Sequence, residues 1–216
     1  MIINPLVIFL SYQRDFQQNL LHGLLISLIL AVFSFFVIII LSMFLLKKDL
    51  KGNHSIERFA CIYSNCGFIG IPLVNGMFGS EGVFYLTAYM TIFNLLVWTH
   101  GVIIMSGKSN WSFIKKAVLS TSVIATLSGF LFFLLRIKLP EVILDPLNLL
   151  GNTNTPLAMI VAGVSIAQTR VNTLFKNKRI LWVLTIKLLI LPIILAGLFS
   201  LLPLQQILKA TSILAT

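Results

Sequence analysis

Asn65, Gly67, Gly70 and Pro72 lie close together in the stretch Tyr-Ser-Asn-Cys-Gly-Phe-Ile-Gly-Ile-Pro-Leu-Val-Asn-Gly-Met-Phe-Gly, residues 63–79. The chemistry open to such residues is recognition, not bond making. Proline removes a backbone donor, and glycine weakens the helical ladder around it. A helix broken there exposes oriented N–H groups that suit a carboxylate, and the Asn65 amide brings further donors. Asn65 keeps a second reading, as a cap on a half-helix. Asn154, Thr155 and Pro156 mark another interruption, in Leu-Leu-Gly-Asn-Thr-Asn-Thr-Pro-Leu-Ala-Met at residues 149–159. Lys187 places a charge inside an apolar run, which makes it a functional candidate and a charge partner for an anion. It stands roughly 10 Å from the end of that run at 1.5 Å per residue, so its ammonium could instead snorkel to the interface or make a structural pair.

Other chemistries are poorly served. The acids are Asp15, Asp49, Glu57, Glu81, Glu141 and Asp145, and all fall in loops or at the ends of apolar runs. No paired carboxylates face an apolar interior, and His22, His54 and His100 are far apart with no ligand spacing. Neither an enzyme nor a metal site is expected. Cys61 and Cys66 read as free thiols packed in protein. The pattern G-x-x-x-x-G-K-[ST] does not occur, so no nucleotide and no other cofactor is expected. Asn94, Trp98 and His100 read as packing or interface residues.

The elements that hold these residues are membrane spans. Of 216 residues, 58% are hydrophobic and 10% charged, and the mean hydropathy is +1.00. A soluble domain of this size could not hide so much apolar surface. The net charge of +10 is spread in short groups between apolar runs, as in cytoplasmic loops, and does not point to nucleic acid. Residues 1–11 are apolar but too short to span, and they lack the basic start and cleavage site of a signal peptide. They read as the second half of a helix. Spans are expected at 22–46, 59–78 (broken), 83–105, 113–135, 144–168 (interrupted) and 180–202, with a further apolar segment at 207–216.

Orientation follows from lysine and arginine. The loops at 47–58, 107–116 and 170–179 hold eleven of the sixteen, the alternate loops four, and Lys187 is the remaining one. The first set is therefore expected in the cytoplasm. Ile3-Asn4-Pro5-Leu6 is echoed by Asn154-Thr155-Pro156-Leu157, and the charge count orients the apolar helices after them oppositely. An inverted repeat predicts this, with residues 1–107 in one unit and 108–216 in the other. The expected fold class is an all-α polytopic membrane bundle with inverted repeats and interrupted, crossover helices, incomplete at both ends.

The broken segment also carries a resemblance. Asn65-Cys66-Gly67-Phe68-Ile69-Gly70-Ile71-Pro72-Leu73, followed by Gly76-Met77-Phe78-Gly79, resembles the fourth transmembrane segment of the auxin efflux carrier family. Gly151 through Pro156-Leu157-Ala158 to Gly163 is similar to that family's helix 7, and Lys187 with Pro192 to its helix 8. The resemblance implies ten helices in two inverted repeats of five, with Asn65 at the helix-4 crossover that binds substrate. Two departures stand out. Ser64 replaces the proline that plant members place before the asparagine, and Ser120-Thr121 replaces an Asn-Pro pair at the start of helix 6. On this template helix 1, half of helix 2 and helix 10 are absent, so the chain is expected to be a partial or non-functional fragment.

The resemblance implies secondary transport of an organic anion, malate or another dicarboxylate, across the cell membrane. Expected substrate-binding residues are Asn65, Gly67, Gly70, Pro72, Asn154, Thr155 and Pro156. Expected partners are the lipid bilayer, the anion, a coupling ion and, as an option, a second copy of the chain in a homodimer. The alternative is a channel or a scaffolding membrane subunit. Two interrupted helices favour a carrier, because a channel needs a continuous pore lining.

Overall fold

The computed structural model describes residues 3–46, 54–64, 66–107, 119–168 and 177–216. Asn65 and much of the three loops expected in the cytoplasm lie outside the described residues. Every regular element among the described residues is helical. That is the physical solution for apolar chain in lipid, since a helix satisfies its own backbone within one segment. In order come α1 (Ile3–Ser11), α2 (Gln18–Leu45) and α3 (His54–Ile62). A π-wound turn, Cys66–Gly70, leads into α4 (Ile71–Leu96), and a second, Val97–Gly101, into α5 (Val102–Ser106). Then follow α6 (Thr121–Leu134), α7 (Glu141–Asn152), α8 (Asn154–Ala167) and α9 (Lys178–Thr185). A third π turn, Ile186–Ile190, joins α9 to α10 (Leu191–Ser200), and α11 is Gln206–Leu214.

Four stretches are long and apolar enough to cross a membrane: Gln18–Leu45, Ile71–Ser106, Glu141–Ala167 and Lys178–Ser200. The protein is an all-α membrane bundle, the class read from its composition. Two of the π turns have one cause. Cys66–Gly70 is followed by Ile71-Pro72 and Ile186–Ile190 by Leu191-Pro192. Proline has no N–H to return to the preceding turn, so the ladder widens just before it.

The core is built around α4. Every residue from Gly82 to Met90 is buried, and an element apolar on all sides belongs at a centre. Ala31, Phe35 and Ile38 are the buried face of α2, while Leu25, Ile29 and Phe36 are exposed and suit lipid. Phe35 meets Tyr89 with ring centroids 5.0 Å apart. Tyr12 stacks edge-on against Phe84 at 5.0 Å and shares a 2.6 Å hydrogen bond with Thr87. Small residues permit these approaches. A Cβ on Gly129 would lie 2.7 Å from the Tyr12 ring, so α6 carries glycine there.

One expected boundary moved. The spans expected at 59–78 and 83–105 leave a turn at 79–82, and the structure shortens it to a kink at Gly79, φ 62° and ψ −159°, the one residue of Ile71–Leu96 outside helical geometry. Glycine alone adopts that backbone readily, which lets a single residue do the work of a loop. The apolar run 113–135 is helical from Thr121; residues 113–118 lie outside the described residues.

Candidate functional site

The first break is a gap in α-helical structure between Ile62 and Ile71. Tyr63 and Ser64 leave the helix, and the chain re-enters through the π turn Cys66–Gly70. The end of α3 therefore has carbonyls with no helical partner, the usual condition of a helix C-terminus. Lys187 supplies one. From the π turn Ile186–Ile190 its ammonium donates to the Ala60 carbonyl and, at 3.0 Å, to the Tyr63 carbonyl. A cation is favourable at that end of a helix because the peptide dipoles leave it negative. Ser64 in turn donates to the Thr216 carbonyl.

The glycines and proline of the break lie as follows. Gly67 packs beneath Met90, where a Cβ would stand 3.1 Å from Cε, and its surface faces the Asn4 amide at 3.7 Å. Gly70 is buried and lines a cavity of about 480 Å³ together with Ser64, Cys66, Lys187, Pro192 and Thr216. Pro72 is buried in the first turn of α4.

The second interruption is narrower. Thr153 separates α7 from α8, and its hydroxyl donates to the Leu150 carbonyl at 2.6 Å. Pro146 sits inside α7. Asn154 is 5% exposed, and its side-chain Nδ2 has no hydrogen-bond partner. Asn154 and Thr155 line a second cavity, of about 210 Å³, with Ile71, Asn75, Asn148 and Asn152. Pro156 is exposed and is not among its lining residues. The fold thus brings Asn154 and Thr155 to the start of α4, beside the break that holds Gly67, Gly70 and Pro72.

Neighbouring residues Gly70 and Ile71 line different cavities, the first with Lys187 and the second with the asparagines. The Lys187 cavity is largely apolar with one cation; the other is walled by amides and hydroxyls, Ser11 and Ser80 included. Near its Ser11 end, Arg14 donates to the Ser11 carbonyl at 3.0 Å. Burial lowers the Arg14 guanidinium below its ordinary range, opposed by Glu81 and Tyr85.

Several participants were not singled out from the sequence. Asn148 and Asn152 stand four apart, at helical spacing, on the segment that leads to Thr155, a signal that periodicity could have exposed. Tyr63 had no such signal. Its hydroxyl lies 3.1 Å from the Leu96 carbonyl and 2.8 Å from His100 Nδ1, and its ring packs on Phe59 and Phe93. His100, read as a packing residue, is thereby joined to the break. Asn94 bonds only within its own helix, to the Met90 carbonyl at 2.8 Å, among the described contacts.

The sequence model of a family described as membrane transport protein matches residues 2–112 and again 108–216. No curated protein and no solved structure matches the chain. The chain belongs to the membrane transport protein family, that of the auxin efflux carriers.

Proposed function

We propose that the chain holds the site of a secondary transporter for a small organic anion, malate or another dicarboxylate, in the cell membrane. One observation carries this reading: the break at 63–72 stands between two separate cavities, and adjacent residues face one each. A carrier needs a solute site reached from either side in turn, and an irregular backbone segment at that point can move between them. The Lys187 ammonium has three N–H groups, of which two are held by the Ala60 and Tyr63 carbonyls. The third is available to a carboxylate in the 480 Å³ cavity, whose apolar wall would take the rest of the molecule. Amide groups of Asn75, Asn148 and Asn154 offer neutral donors in the other cavity.

The same reading orients the chain with loops 47–58, 107–116 and 170–179 in the cytoplasm, and divides it into inverted repeats at 107/108. Ser80, an exposed residue that lines the asparagine-lined cavity, then lies on the outer side. The chain is read as part of such a carrier, with a homodimer as an option. The decisive experiment measures binding of labelled malate to the purified protein, and counterflow by the same protein in liposomes. Saturable counterflow supports a working carrier. Binding without counterflow supports a partial carrier, and non-saturable flux the channel alternative. Absence of binding to malate, malonate and indole-3-acetate alike overturns the anion reading.

A further inference from the structure

We infer that His100 is a proton-binding site joined through Tyr63 to the Lys187 cavity, so that the anion binds together with a proton. The inference rests on the anion reading above and names its coupling ion. The Tyr63 phenol has one hydrogen and two close partners, the Leu96 carbonyl at 3.1 Å and His100 Nδ1 at 2.8 Å. A carbonyl can only accept, so both bonds are satisfied when the phenol donates to Leu96 and Nδ1 carries a hydrogen toward the phenol oxygen. Nε2 is then the basic nitrogen of the ring. A proton added at Nε2 leaves both bonds intact. A ring whose hydrogen sits on Nε2 alone must take the phenol's hydrogen and deprive Leu96 of it. A neutral ring thus serves both bonds in one tautomer only, whereas a protonated ring always serves both, and the contact to Tyr63 favours the hydrogen on Nδ1.

Tyr63 is also where two spans meet the break. His100 belongs to the π turn Val97–Gly101 and holds the Tyr63 hydroxyl; Lys187 belongs to the π turn Ile186–Ile190 and holds the Tyr63 carbonyl at 3.0 Å. Turns of this kind gather at functional sites, where they re-aim a side chain. Two contacts therefore lead from the imidazole to a residue of the cavity wall.

The surroundings leave an added charge uncompensated. Just past α3, Tyr63 touches the ring, and Arg58 of α3 is within electrostatic reach. His54, Glu57 and Cys61 are the other titratable groups on that helix, and Glu57 is paired with Arg179 at 2.5 Å. From α2 the only titratable group is His22, at the far end; α4 brings Glu81, Tyr85 and Tyr89 from its middle portion. No described acid offsets an imidazolium at this position, so an arriving anion would. By linkage, an anion that prefers the protonated ring raises the ring's proton affinity by the same factor.

Calorimetry of malate binding in buffers of differing ionisation heat tests this directly, over the range from about pH 6 to about pH 8 in which histidine titrates. The intact chain is expected to take up protons on binding, with affinity rising toward acid by up to about tenfold per pH unit. His100→Gln is expected to bind as the parent does at the alkaline end and to lose both the proton uptake and the acid gain. Tyr63→Phe keeps the ring, removes the hydroxyl and is expected to flatten the pH dependence; it carries the test if His100→Gln fails to fold. Binding with no proton uptake, or uptake undiminished in His100→Gln, overturns the inference while leaving the anion reading in place. Failure of malate, malonate and indole-3-acetate to bind at any pH overturns both.

Discussion

The Lys187 ammonium lies 3.0 Å from the Tyr63 carbonyl, so a cation of one span closes the open end of a helix in another. The contact ties Lys178–Ser200 to the break at the point where α3 stops. On the proposed function this lysine serves both stability and the solute, and the two roles separate by substitution. Lys187→Met removes the cap and is expected to cost about 1–3 kcal/mol, the range for leaving buried polar groups unpaired. Malate affinity should fall in the same variant, while Lys187→Arg should restore more stability than affinity because its fork of donors differs in shape. Thermal unfolding and binding, measured side by side, decide it; a Lys187→Met protein with undiminished affinity rules the lysine out as an anion partner.

Asn154 should behave in the opposite way. Its buried Nδ2 has no partner, so the folded state already bears that cost. Asn154→Leu replaces an unmet donor by a side chain of similar size and is expected to leave the melting temperature unchanged or higher. Anion affinity should drop, by about tenfold for each 1.4 kcal/mol lost. A variant that melts early and binds normally would show Asn154 to be structural.

Gly79 is a backbone position, not a contact. A Cβ there would meet nothing within 4 Å, yet φ 62° and ψ −159° is a conformation other residues rarely hold. Gly79→Ala is expected to destabilise by about 1–3 kcal/mol through strain alone. Neutral behaviour in thermal unfolding would mean that the kink can relax.

Gly129 tests the opposite cause. Its Cβ would fall 2.7 Å from the Tyr12 ring, which is itself held by Thr87 at 2.6 Å. Gly129→Ala should therefore cost about 1–3 kcal/mol by overpacking. The companion change Tyr12→Phe should cost about 1 kcal/mol by losing the bond to Thr87. If Gly129→Ala melts with the parent, α6 does not pack on α1 as described.

Topology is tested by labelling. Cys61 and Cys66 are buried and can be replaced. A cysteine introduced at Gln17 or Ser80 should react with an impermeant reagent outside intact cells, and one at Lys178 should not; all three positions are exposed. The reverse pattern would overturn the charge-based orientation.

Composition and punctuation alone determined that this is a helical membrane protein, where its apolar runs lie, and that two of them break at Gly67–Pro72 and near Asn154. These are local properties: hydropathy acts residue by residue, and proline and glycine break a ladder wherever they stand. Which residues face one another was decided only by the tertiary structure. Asn75 is far from Asn154 in sequence, and Tyr63 from Lys187, so no periodicity relates them. Their meeting depends on close approaches of whole helices, such as α6 against Tyr12 at Gly129. The direction of a lysine is likewise not a local property. Lys187 could have snorkelled to an interface, and it turns instead to carbonyls that exist only because α3 ends beside it.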